Sequence, residues 1–136
     1  MLITHSMGGQ IAYDVVSSFL PATGSNIKVD FWCATASQVG FFEELNMFLA
    51  SSADFSKATG KRTPIAQKNL GHWWNVWDRN DILSFTTKGI FEDGIDDESY
   101  WSGMSVAAAH GGYLERPSFY RRFAEKLTAA FPSTGS

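Results

Sequence analysis

Cysteine is almost missing from this chain of 136 residues: Cys33 stands alone. An internal disulfide is therefore excluded, and so is a cysteine-rich zinc site. Cys33 lies inside an apolar run, where a buried thiol is expected rather than a reactive one. An excess of positive charge is missing too. Eleven Lys and Arg face fourteen Asp and Glu, a formal net charge of -3, and the basic residues form no stripe or arm that would track a nucleic-acid backbone. No apolar run is long enough to span a membrane, no signal peptide is recognisable, and a cytoplasmic location is expected. Internal repeats and a dividing linker are also absent, so residues 1–136 are expected to form one domain. What is present is 44% hydrophobic and 15% aromatic residues, enough to build one core and too much for a disordered chain.

Along the chain, short apolar runs alternate with helical spacing. Leu2 and Ile3 read as the end of a buried strand. Residues 10–20 then place Ile11, Ala12, Val15, Val16, Phe19 and Leu20 on one helical stripe, which Pro21 is expected to stop. After the turn "PATGSN", the run "IKVDFWCATAS" has the composition of a strand buried on both faces. "FFEELNMFLA" predicts a short helix with Phe41, Phe42, Leu45, Phe48 and Leu49 toward the core. Residues 51–63 read as a surface loop, and a second short helix is expected around Pro64 to Asn69. "HWWNVWDRNDILSF" starts as an aromatic, β-branched strand and breaks into an Asp/Asn-rich turn. Residues 86–109 read mostly as loop, with room for one short strand. Pro117 suits the first turn of a helix carrying Phe119, Tyr120, Phe123, Ala124 and Leu127, closed by Pro132 and followed by a frayed "STGS" tail. Strands alternating with helices imply an α/β fold with a parallel sheet.

The stretch "THSMGG" carries the strongest chemical signal. A nucleophilic serine works best on a sharp strand-to-helix turn, which lifts its hydroxyl above the sheet and aims the next backbone N–H at a developing oxyanion. Ser6 fits as the nucleophile, Met7 as the N–H donor and Gly8 as the small residue behind the turn; a helix-capping serine is the plainer alternative. The stretch resembles the nucleophile elbow of the α/β-hydrolase family, G-x-S-x-G, in the H-S-M-G-G form common in lipases and esterases. Thr4 stands where the family's first glycine would be.

The resemblance implies a triad in the chain order Ser, Asp or Glu, His. In "WDRNDILSF", Asp81 is followed by Ile82 and Leu83 and fits the family's late-strand frame better than Asp78, although either could cap a turn. In "AAAHGGYLERPSFYRRFAEKL", His110 lies between small residues just before the last helix, where the family's catalytic histidine sits. His5 reads as the serine's ordinary neighbour and His72 as structural. The implied chemistry is ester hydrolysis: His110 takes the proton of Ser6, Asp81 holds the imidazole, Met7 N–H stabilises the oxyanion, and water hydrolyses the acyl-enzyme. The same triad cleaves amides. Neither a metal nor an organic cofactor is called for, and the expected partner is a small ester.

Other prominent residues have plainer expectations. Trp73, Trp74 and Trp77 alternate along a strand and should pack on both faces, although with Phe85 they also hint at an apolar pocket. The acidic run "EDGIDDES" lacks the ligand spacing of a calcium loop and reads as a solvated turn. Arg121 and Arg122 read as an exposed helix face. The resemblance covers only the second half of the family's fold, a few-stranded, mainly parallel sheet flanked by helices. Met1 would fall inside a central strand, and the loop that gives the second oxyanion donor would be missing. A chain cut short at its amino end is thus expected, either an active hydrolase or an inert fragment that works by pairing with another chain or with itself.

Overall fold

A computed structural model describes residues 1–56, 58–66 and 68–132. Four strands form one all-parallel sheet in the order β1 (Leu2–His5), β2 (Val29–Thr35), β3 (Leu70–Trp77), β4 (Ile95–Ser99). Helices flank it, giving a general α/β fold. Register is continuous through the middle: Leu2, Trp32 and Trp73 stand abreast, as do Thr4, Ala34 and Asn75. Side chains alternate across the sheet, so β2 and β3 feed two cores. Trp32, Ala34 and Trp73 pack with Ala12, Tyr13 and Val16 on one face. Phe31, Cys33, Trp74 and Val76 pack with Tyr113 and Phe119 on the other. Trp73 stacks on Trp32 at 4.6 Å and Trp74 on Phe119 at 5.7 Å between ring centres. These indoles are core, not the walls of a pocket, and Phe85 stacks instead on Phe41 at 4.9 Å. Cys33 is fully buried, and burial pushes its thiol up to about 12.

The first helical segment departs from its expected limits. It begins at Gly8 as α1 (Gly8–Asp14), widens into a π turn over Val15–Phe19, and runs on through α2 (Leu20–Ala22). Pro21 lies inside it rather than stopping it. Proline has no N–H for the carbonyl four residues back, and the widened turn comes directly before it. The expected stripe also divides: Ala12 and Val16 are buried, joined by Tyr13 from outside the stripe, whereas Ile11, Val15 and Phe19 are exposed. The helix α3 (Val39–Glu44) is shorter than expected. Asn46 takes a left-handed φ of +53° and turns the chain away, leaving Leu45 and Leu49 exposed while Phe48 stays buried. Residues 64–66 and 68–69 form no helix, and Gln67 lies outside the described residues. There Asn69 is buried and donates through Nδ2 to Ser25 O and Ile27 O, pinning the chain ahead of β3.

Two further readings are corrected by carboxylates that find partners. Glu43 is fully buried and accepts from Ser51 Oγ, Ser52 N and Thr63 Oγ1, so part of the expected surface loop is tied to the core. The acidic run is not a solvated turn; its second half is the edge strand β4. Alternation sends Asp97 to one face and Asp96 and Glu98 to the other. Asp97 accepts from Asn75 Nδ2, Trp77 Nε1, Thr86 Oγ1 and both Thr87 N and Oγ1, at 2.6–3.0 Å. Glu98 pairs with Arg122 and Lys126, and Lys126 also binds Asp96. Those cations lie on α5 (Pro117–Ala130), which packs Phe119, Phe123 and Leu127 while Tyr120 and Ala124 face out. Arg121 and Arg122 are both exposed, as expected, and Arg122 is also paired with Glu98 and Glu125. The expected "STGS" tail lies outside the described residues.

Asp97 thus carries the junction between β4 and the segment 84–87. Asp97→Ala leaves several inward-facing donors without an acceptor, and is expected to lower stability by about 2–3 kcal/mol, measured by denaturant unfolding.

Candidate active site

The turns that follow β1, β2 and β3 open at the same end of the sheet. The first is the serine turn. Ser6 has φ +54°, a left-handed conformation uncommon for a residue with a side chain, and such strain gathers at functional sites. The turn is held by Ser6 N donating to Thr35 O and Gly9 N donating to Ser6 O. Met7 sits between Ser6 and α1 with its side chain exposed. Glycine is needed one place later than expected. A Cβ on Gly8 would meet only ordinary contact with Thr4, whereas one on Gly9 would come within 2.6 Å of Ser37 Oγ. Thr4 has its own task, since its hydroxyl accepts from the buried Trp32 Nε1 at 2.9 Å.

The third turn separates the two aspartates. Asp78 is buried and engaged by Asn80 and Ser102: Oδ1 accepts from Asn80 N and Oδ2 from Ser102 N. Burial pushes its carboxyl up, but the hydrogen bonds from Ser102 and Asn80 prevail and hold it below the usual carboxylate range. Asp81, also buried, accepts from Leu83 N and Tyr113 Oη and faces His110, whose Nδ1 lies 3.0 Å from both carboxylate oxygens. Burial, and to a smaller degree the adjacent Asp81, raises the Tyr113 phenol, so it remains a protonated donor.

His110 lies within the short helix α4 (Val106–Gly112), which begins inside the stretch 86–109 read mostly as loop, because three alanines before His110 favour helix. Its Nε2 is 2.9 Å from Ser6 Oγ. With Nδ1–H donating to a carboxylate, Nε2 is left with a lone pair and accepts from the serine hydroxyl. His5 supports the ring from behind: its Nε2–H donates to His110 O at 2.6 Å, and the two rings lie 4.9 Å apart. Ser6, His110 and Asp81 thus form one hydrogen-bonded series across residues far apart in the chain. His72 is remote from it on β3, stacked on Phe31 and 3.6 Å from Asp96.

Sequence reasoning missed three residues at this site. Tyr113 and His5 gave no signal beyond proximity to His110 and Ser6. Gln38 gave none at all, yet it is buried against Ser6 and Leu83. Among the described residues no cluster of three or more His, Cys, Asp or Glu could hold a metal ion, and no helix is long and apolar enough to cross a membrane. Compared with known protein families, curated proteins and solved structures, the chain matches none.

Asp78 and Asp81 should differ in what they sustain. A carboxyl held low in the folded state contributes stability above the ordinary carboxylate range and loses that contribution as pH falls through its lowered value. Asp78→Asn is therefore expected to lower the melting temperature most at neutral pH. The gap to the wild type should close in strong acid, as read by thermal unfolding across pH.

Proposed function

We infer that this chain is a serine hydrolase acting by acyl transfer on carboxylic esters, similar to lipases and esterases of the α/β-hydrolase family. One observation carries the reading: Ser6 Oγ, His110 Nε2, His110 Nδ1 and Asp81 are joined by contacts of 2.9 and 3.0 Å, with the serine on a strained turn between strand and helix. A merely capping serine requires neither the histidine nor the left-handed backbone.

In this mechanism the hydroxyl of Ser6 attacks the ester carbonyl as its proton passes to His110 Nε2. The imidazolium is held by Asp81, whose other donors, Leu83 N and Tyr113 Oη, keep the carboxylate oriented. Met7 N–H, at the start of α1, serves the oxyanion. His110 then gives its proton to the departing alkoxide. Water, activated by the same imidazole, attacks the acyl-enzyme and restores Ser6. Asp78, held by Asn80 and Ser102, takes no part.

A fluorophosphonate probe tests this directly. The wild-type chain should be labelled, Ser6→Ala not at all, and His110→Ala and Asp81→Asn at rates lower by about 10³-fold or more, in line with the loss of a triad member. Well-folded wild-type protein that takes no Ser6-dependent label would remove the reading.

A second reading, that the chain works by association, has its own support. β1 stands at an edge of the sheet with only four residues, and beside it Met7, Ile11, Val15 and Phe19 expose apolar side chains at four-residue intervals. An open edge and an uncovered stripe of this kind favour pairing. Light scattering over a range of concentrations should then give a mass above that of one chain. A monomer at every concentration counts against association with itself.

A further inference from the structure

Ser6 Oγ has a second polar neighbour besides His110. The side chain of Gln38, buried just after the β2 turn, brings Nε2 to 3.5 Å from Oγ. The same nitrogen lies 2.7 Å from Leu83 O and 3.3 Å from Ala36 O. Both are carbonyl oxygens, which only accept, so the amide must turn its nitrogen toward them. Its oxygen then receives Gln10 Nε2, donated from the first turn of α1. An amide nitrogen has two hydrogens. The short contact takes one for Leu83 O, and the other is shared between Ala36 O and Ser6 Oγ.

Backbone strain stands behind this placement as well. Ala36 has φ +52°, and like Ser6 it ends its strand in a left-handed turn. The two turns are neighbours because Ser6 N donates to Thr35 O, and the β2 turn is tied onward by Ala36 N to Val76 O. A non-glycine residue is seldom held in this conformation unless its surroundings fix it there. Here that strain accompanies a polar group set directly against the serine.

The geometry points to Gln38 as a further catalytic residue, a donor to the nucleophile oxygen whose bond strengthens as that oxygen gains charge. The inference rests on the serine-hydrolase reading. As Oγ bonds to the carbonyl carbon, its proton moves to His110 Nε2 and the carbonyl π pair moves onto the carbonyl oxygen. Any lag of bond formation behind proton loss leaves negative charge on Oγ. In deacylation the Oγ–carbon bond breaks, and charge returns to Oγ until His110 delivers the proton. In both steps the shared hydrogen of Gln38 shifts from the neutral Ala36 carbonyl to the charged Oγ. Hydrogen bonds to ionised oxygen are stronger than those between neutral groups. Only an interaction stronger in the transition state than in the resting state accelerates the reaction.

Gln38→Met keeps the length of the side chain and removes the donor. Its rates of fluorophosphonate labelling and of p-nitrophenyl acetate hydrolysis are expected to fall roughly 10- to 100-fold, with KM unchanged and the His110 inflection of the pH–rate profile unmoved. That inflection separates the proposal from a bracing role. If Gln38 served only to anchor Leu83, its loss would loosen Asp81 and shift the titration of His110. Wild-type rates in Gln38→Met, or a loss accompanied by a shifted inflection, overturn the proposal. Should Gln38→Met not fold, Gln10→Met leaves Gln38 in place but frees its amide to rotate. A smaller loss in the same direction is expected there, and wild-type rates would overturn the proposal equally. A wild-type chain without Ser6-dependent labelling overturns the hydrolase reading itself, and this inference with it.

Discussion

Two backbone hydrogen bonds align the site. Ser6 N donates to Thr35 O, and Ala36 N donates to Val76 O. Each extends the parallel ladder one step past the end of a named strand, so that the turns after β1, β2 and β3 begin at one level. Parallel pairing requires every strand to point the same way, and every turn at the carboxyl end then opens on the same side. Residues separated by dozens of positions are brought side by side without any direct sequence relation. The serine, Gln38 and the aspartate turn all depend on this registration.

Around that edge the protein deals with several buried or half-buried carboxylates in different ways. Glu43 is closed off by two hydroxyls and a backbone N–H. Asp78 is occupied by Asn80 and Ser102, and Asp97 by two threonines, an asparagine and an indole. Each is stabilised by donors that do not ionise near neutral pH, so each acts as a fixed anchor. Asp81 alone among these four faces an imidazole. A carboxylate that accepts from one ring nitrogen of a histidine fixes its tautomer, and this distinguishes Asp81 from the carboxylates that serve only as structural knots. The loop from Asp78 to Thr87 is short of regular structure but not of restraint, since the anchors lie at both of its ends.

The sheet is less evenly served on its other flank. β2 and β3 are covered on both faces by aromatic cores, and β4 is shielded by ion pairs with α5. β1 has neither device. Its exposed Ile3 and the stripe from Met7 to Phe19 leave apolar surface in water, the kind of surface that a chain covers by association. The serine turn and the uncovered edge therefore meet in the same few residues.

The chain pattern by itself determined the parallel α/β layering, the strand cores of β2 and β3, the last helix and the strand–turn–helix setting of Ser6. Those features rest on local periodicity and on small-residue turns, which are written in consecutive residues. It also brought Ser6, Asp81 and His110 forward as candidates, through motif and order rather than contact. Tertiary structure decided the rest. It separated Asp81 from Asp78, because both cap turns and only position relative to His110 tells them apart. It made an edge strand of Ile95–Ser99, because Lys126 and Arg122 pair with, and Thr86 and Thr87 donate to, acids that would read as solvated in isolation. It shortened α3 at Asn46 and split the first helical stripe, because burial depends on what faces a helix and not on its own period. Above all it set Gln38 against Ser6 Oγ, a contact across 32 positions that no local pattern encodes.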